Sequence, residues 1–414
     1  MSSVLPFDII AQIIDIVGEN NDTNLLKELA LVSHSFLQIC NKHLFATVEL
    51  HDAVPNYHAA SSKKGFVKLL QSRPDVVKYI RKITYKMAYN RLLRFSPNND
   101  DHLLSPILPN FLQTISHLNC LTITGSKLEW NTLDSSLTSA FLHLMHLPTI
   151  NHINLSFIRK FPLSSLVPCV NLHRLDIFYL NHPLEEDSSP EIVVQSEMMP
   201  KIREFRTSHS SLLTTKLLHA KMQDGRPAFN FMDLRRLSMS LSMFENEQNI
   251  RYFLQNAKLL EKLRLSVGLR QSLVGFHDTL SPSARSLKVL ELTVSLYNDS
   301  VPLLPLAGLC EELEAMAGHT ILEALSFEVL VDSYETEESI GSIIRNVEKA
   351  LVKPGWSALK QVSIKVLIGC CLVSTEVRAK LSEALQSLPD KYLSHFSKLE
   401  SFAFEFSACV VEPD

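Results

Sequence analysis

The sequence predicts an α/β chain in two parts: a short all-α module at the N-terminus, then an irregular solenoid of alternating strands and helices. Residues 5–44 hold three helical periodicities. A six-residue apolar pattern then recurs from Ile80 to the C-terminus. Between its copies the apolar spacing lengthens from two residues to the 3.6 of a helix. The division is a helical module over 1–48, a linker and helical cap over 49–75, and the solenoid over 76–414.

The module opens with a predicted helix over 5–17. Pro6 suits an early helical position, Gly18 can end the helix, and Ile9, Ile13 and Val17 recur at i+4. Asp22 is a predicted N-cap for a second helix carrying Leu25, Leu26 and Leu29. Ser33 caps a third with Phe36, Ile39, Cys40 and Leu44 inward. So small a unit buries little on its own and is expected to lean on a neighbour or a partner.

The order and spacing of Leu5-Pro6, Asp8-Ile9, Ile13, Leu31-Val32-Ser33 and Phe36 resemble an F-box, as found in F-box proteins of mushroom-forming fungi. That resemblance implies binding of a Skp-type linker protein through Leu5, Pro6, Ile9, Ile13, Leu31, Val32, Ser33 and Phe36. Through the linker it implies a cullin ubiquitin ligase, with the C-terminal region selecting a target protein. The expected function is therefore an SCF-type substrate-recognition adaptor. The alternative is a non-ligase interaction scaffold.

The repeated hexamer reads apolar-x-x-apolar-x-apolar: LNCLTI from Leu118, INHINL from Ile150, LHRLDI from Leu172, LRRLSM from Leu234, LEKLRL from Leu260, LKVLEL from Leu287, LEALSF from Leu322, LKQVSI from Leu359 and LESFAF from Leu399. IRKITY from Ile80 and IREFRT from Ile202 are weaker copies. The last two apolar positions lie two apart, so both face one side of a short strand. This rhythm resembles a leucine-rich repeat and predicts stacked parallel strands around one core. A doubly wound α/β sheet is the rival. It is set aside because it calls for longer, more continuously apolar strands and a ligand loop at a topological switch.

Forty basic and 44 acidic residues, a formal charge of −4, give no general reason for nucleic-acid binding. Residues 63–94 are basic and 311–348 acidic, which reads as two solvated faces or as polarity that steers a partner. No uncharged apolar stretch is long enough to span a membrane. The N-terminal run lacks the marks of a signal peptide. Seven scattered cysteines without a CxxC pair predict reduced thiols and a cytoplasmic or nuclear setting.

No phosphate-loop, dinucleotide, GxSxG or HExxH motif is present. His143 with His146 reads as a chance spacing rather than a metal site, and His51 with Asp52 as no base–orienter pair. Cys370 with Cys371 reads as buried packing rather than nucleophilic chemistry. The chain is therefore expected to be non-enzymatic, with no catalytic, cofactor-binding or metal residues and no cofactor. The inter-repeat positions vary from copy to copy, among them Asn119-Cys120-Thr122 and His173-Arg174-Asp176. Arg235, Arg236, Lys262, Arg264, Lys288 and Glu291 are the candidate target-binding residues.

Overall fold

Pro6 precedes the first helix, α1 (Phe7–Glu19), where its missing N–H costs nothing. The computed structural model describes residues 6–51, 63–87, 107–180, 193–194, 198–240, 244–268, 274–296, 308–331, 337–369, 383, 386–393 and 403–411. Gly18 does not end α1. It lies inside the helix, where an added Cβ would fall 2.2 Å from the His43 ring, so glycine is needed for close approach. Asp22 caps α2 (Thr23–Ala30) by accepting from Leu25 N–H at 3.1 Å. Ser33 caps α3 (His34–Leu44) by accepting from Phe36 N–H at 3.2 Å. Ile14, Leu26 and Cys40 form the core of the three helices, with Ile10, Val17, Leu29, Phe36, Ile39 and Leu44 packed on it.

These helices do not form an F-box cap on a solenoid, and that assignment is corrected. After α3 the chain enters β1 (Thr47–His51), which pairs in parallel with β2 (Lys82–Lys86). The Ala46 carbonyl accepts from both Arg81 and Lys82 N–H. The three helices thus stand directly before the first strand of a parallel sheet, and Phe36 lies against its own small core.

The chain divides into two compact units, residues 1–201 with 219–229, and 202–218 with 230–414. In the first, β1 and β2 are followed by β3 (Cys120–Glu129), β4 (His152–Arg159) and β5 (Arg174–Phe178). All pair in parallel and in chain order. Helices α4 (Lys63–Ser72), α5 (Ile107–Gln113) and α6 (Ser135–Met145) fall between successive strands. A small parallel pair, β6 (Val193–Val194) and β8 (Lys221–Met222), belongs to the same unit.

In the second unit β7 (Glu204–Ser208), β9 (Arg236–Ser240), β10 (Lys262–Gly268), β11 (Val289–Leu296), β12 (Ala324–Val331), β13 (Gln361–Gly369) and β14 (Ala403–Val411) also pair in parallel, in that order. Between them lie α7 (Ser211–His219), α8 (Phe244–Asn256), α9 (Phe276–Leu280), α10 (Leu309–Met316), α11 (Glu337–Val352) and α12 (Leu388–Tyr392). Gly225 has φ +81°, in the left-handed region that glycine adopts without strain.

The apolar positions of the hexamers are core residues. Leu121, Ile153, Leu175, Leu237, Leu263, Leu290, Leu325 and Val362 are all buried. The leucine-rich-repeat solenoid is nonetheless corrected to a parallel α/β sheet with interleaved helices. In the longer strands the hexamer covers only the first part of the strand. In β10–β13 the strand runs on for seven to nine residues, and Val267, Val294, Val329 and Val366 continue the inward face. The intervening chain carries helices as long as the 16 residues of α11. Among the described residues, β1–β5 of the first unit and β7 with β9–β14 of the second pair in sequence order without reversal, unlike a doubly wound sheet.

Candidate functional site

Stacking LNCLTI, INHINL and LHRLDI places chemistry in one column. On β3, β4 and β5 the residues alternate with those of the core, so Cys120, His152 and Arg174 share one rung of the opposite face. Thr122, Asn154 and Asp176 share the next. Backbone bonds hold the rung: Asn151 and His152 N–H donate to the Asn119 carbonyl, and His173 and Arg174 N–H to that of Asn151. The cysteine, histidine and aspartate therefore sit on three hydrogen-bonded strands rather than on loops.

Cys120 Sγ is 3.2 Å from His152 Nδ1. The other ring nitrogen, Nε2, is 3.0 Å from Asp176 Oδ2. Arg174 closes the group by donating Nη2–H to Asp176 Oδ2 at 2.8 Å and Nε–H to Oδ1 at 3.2 Å. The Asp176 side chain is 3 % exposed, against 20 % for His152 and 31 % for Arg174. The carboxylate is thus sealed beneath the two cationic side chains it binds.

Burial disfavours a charged imidazole at His152, but the bonds to Asp176 and Cys120 outweigh it, and its pKa is pushed up to about 9. Burial also pushes the Asp176 carboxyl upward. His152 and Arg174 overcome that effect and hold it below the ordinary value of 3.8. With the imidazole protonated, Nε2–H donates to the carboxylate and Nδ1–H to the sulfur. In the neutral ring the aspartate keeps the proton on Nε2, which leaves Nδ1 to accept from the Cys120 thiol.

This geometry corrects the expectation of a non-enzymatic adaptor with no catalytic residues. A thiol, an imidazole and a buried carboxylate are connected in the order that nucleophilic catalysis uses. No family model and no curated protein matches the chain, so the F-box resemblance and the adaptor role it implied receive no support from relatives. Fold and site together define a parallel α/β protein with a cysteine–histidine–aspartate constellation on one sheet.

The residues assigned to linker binding are dispersed in their environments. Leu31 is 88 % and Val32 64 % exposed, and Ile9 and Ile13 are exposed as well. Pro6 precedes α1, Ser33 serves as a cap and Phe36 packs inward. Leu5 lies outside the described residues.

The candidate target-binding cations mostly face acids on neighbouring strands. Arg235 pairs with Glu261 at 2.8 Å, Arg236 with Glu204 at 2.9 Å and Lys262 with Glu291 at 2.5 Å. Arg264 approaches Glu291 and Glu328 at 4.0 and 3.6 Å. The Lys360 hydrogen bond holds the Glu323 carboxyl below its usual value, and the charge of Lys288 adds to the effect. A cavity of about 500 Å³ lies on this unit's sheet, lined in part by Arg264, Glu291, Glu328, Lys365 and Glu405.

His143 and His146 engage separate carbonyls, those of Ile115 and Ser165. His51 bonds Glu49, while Asp52, Cys370 and Cys371 lie outside the described residues.

Proposed function

We propose that this chain is a thiol-dependent enzyme of the acyl-transfer class. Cys120 is the nucleophile, His152 the general acid and base, and Asp176 the group that orients His152. Arg174 positions Asp176. The observation that carries the reading is the unbroken contact from Cys120 Sγ to His152 Nδ1 and from His152 Nε2 to the buried Asp176.

In the first half-reaction the sulfur attacks an acyl carbon and its proton resides on His152. The imidazolium then gives that proton to the leaving amine or alkoxide as the carbon–heteroatom bond breaks, leaving a thioester on Cys120. In the second half, neutral His152 takes a proton from water and the oxygen attacks the thioester. The carboxylic acid leaves, and the sulfur is restored. Asp176 stays ionised throughout and stabilises the imidazolium each time it forms.

Residence in the cytoplasm or nucleus is part of the same proposal. Reducing compartments suit a catalytic thiol, and the described cysteines Cys40, Cys120, Cys169, Cys310 and Cys409 are free. Among the described residues no helix is long and apolar enough to cross a membrane.

The test is acylation by p-nitrophenyl acetate followed by peptide mapping. Acetyl transfer to Cys120 is expected, with turnover reduced by about 10²-fold or more in His152→Ala. The absence of an adduct at Cys120, or an unchanged rate in His152→Ala, overturns the proposal.

A further inference from the structure

The cavity of about 500 Å³ on the second unit's sheet originates in the strand register. Ser326 of β12 opposes Ser363 of β13, and the same rung runs on to Glu291 of β11 and Glu405 of β14. Two short side chains therefore lie between long ones. Glu328 and Lys365, opposed to each other two residues further along, close one end. The result is a trough across four strands, with Glu291 at one side and Glu405 at the other. Its volume lies within the range of about 300–1,000 Å³ that small-molecule sites occupy.

The two sides differ in charge balance. Around Glu291 every acid is already met: Lys262 holds Glu291 at 2.5 Å, and Arg264 approaches Glu291 and Glu328 at 4.0 and 3.6 Å. Lys365 takes Glu328 at 3.3 Å. Glu405 lines the other side, and among the described residues it has neither an ion pair nor a side-chain hydrogen bond. The hydroxyls nearby are engaged as donors. Ser363 gives its proton to Ser326 at 2.8 Å, and Thr293, only 7 % exposed, gives its own to Glu328 at 3.3 Å. Their oxygens remain as acceptors. A free carboxylate in register with such a hydroxyl calls for a ligand that carries N–H groups and a positive charge. An anion would meet Glu405 as a like charge and would have to break the pairs of Arg264 and Lys365.

We propose that this cavity binds a small aliphatic amine in its ammonium form, with the cation against Glu405 and Ser363. A charge-assisted hydrogen bond to the carboxylate is its strongest contact, and Ser363 Oγ accepts a second N–H. The site stands on register and charge and does not depend on the thiol chemistry. Binding to the full chain is measured by saturation-transfer NMR with butylammonium, pentanoate and 1-butanol, which share a butyl chain and differ in charge. The ammonium is expected to bind best. Its affinity falls about fivefold or more in Glu405→Gln, which keeps the shape and removes the charge. It falls as far in Ser363→Ile, which fills the trough with a side chain that suits a strand. The thermal midpoint is expected to hold in Glu405→Gln, because no partner is lost. Equal binding of the ammonium and the alcohol, a preference for pentanoate, or full affinity in Glu405→Gln overturns the site. Full affinity in Ser363→Ile places the amine outside the trough and equally overturns it.

Discussion

The two units place charge on their sheets in different ways. In the first, one carboxylate, Asp176, is almost fully buried and takes both His152 and Arg174. In the second, Lys262, Arg264, Glu291, Glu328 and Lys365 form a cross-strand ladder whose side chains are all partly open to solvent. Coulomb attraction is present in both, but water weakens the ladder and is kept away from Asp176. A buried carboxylate with two partners fixes a histidine in one orientation. An exposed ladder mainly shapes a surface.

The largest effect that separates the two is expected at Asp176. Asp176→Ala leaves His152 and Arg174 without their shared anion and should cost about 3–5 kcal/mol in denaturant unfolding. A loss below about 1 kcal/mol would place it with the surface pairs of the second unit.

The core of the second unit comes next. Leu263→Ala and Leu290→Ala, both fully buried, should each cost about 2–5 kcal/mol. Their outward neighbours Arg264→Ala and Glu291→Ala should change stability far less. Equal losses at both sets would contradict the register in which Leu263 opposes Leu290 and Arg264 opposes Glu291.

The pH dependence sharpens the contrast. The folded-state pKa of His152, about 9, lies above its free value of 6.5. Its contribution is therefore complete below pH 6.5 and lost as pH rises through 9. Asp176 has the opposite sign: its folded value is depressed, so its contribution is present above pH 3.8 and lost as pH falls through the lowered value. The thermal midpoint should fall between pH 6.5 and 9 in the native chain, and this slope should flatten in His152→Ala. An unchanged slope in the variant would assign the effect to other groups.

The smallest effects belong to the ladder. Arg235→Ala and Lys262→Ala should each alter stability by about 1 kcal/mol or less, and by less still in high salt. A larger, salt-insensitive loss would show that these pairs act like Asp176.

Much of the fold was legible because the hexamer marks where each strand begins. INHINL supplied the inward Ile153 and Leu155 of β4, and LEKLRL the inward Leu263 and Leu265 of β10. Asp22 and Ser33 were legible as caps because short polar side chains satisfy the free N–H groups of a helix start. Strand length was not legible in the same way. Val294 and Val366 continue the alternation past the hexamer, but two-residue periodicity alone does not say where pairing ends. The site was present as a column, Cys120 above His152 above Arg174 with Asp176 two residues on. It was missed because catalytic motifs are read along the chain, whereas parallel strands bring these residues together from 32 and 24 positions apart. Reading the same position down consecutive copies recovers it.

The central claim is that His152 activates Cys120. The most direct measurement is the rate of iodoacetamide alkylation at individual cysteines, followed by mass spectrometry at neutral pH. Cys409 is the reference because it is exposed. Cys120 should react more than about tenfold faster than Cys409 despite its lower exposure, and His152→Ala should remove that advantage. Alkylation of Cys120 no faster than that of Cys409, or a rate unchanged in His152→Ala, would contradict the account.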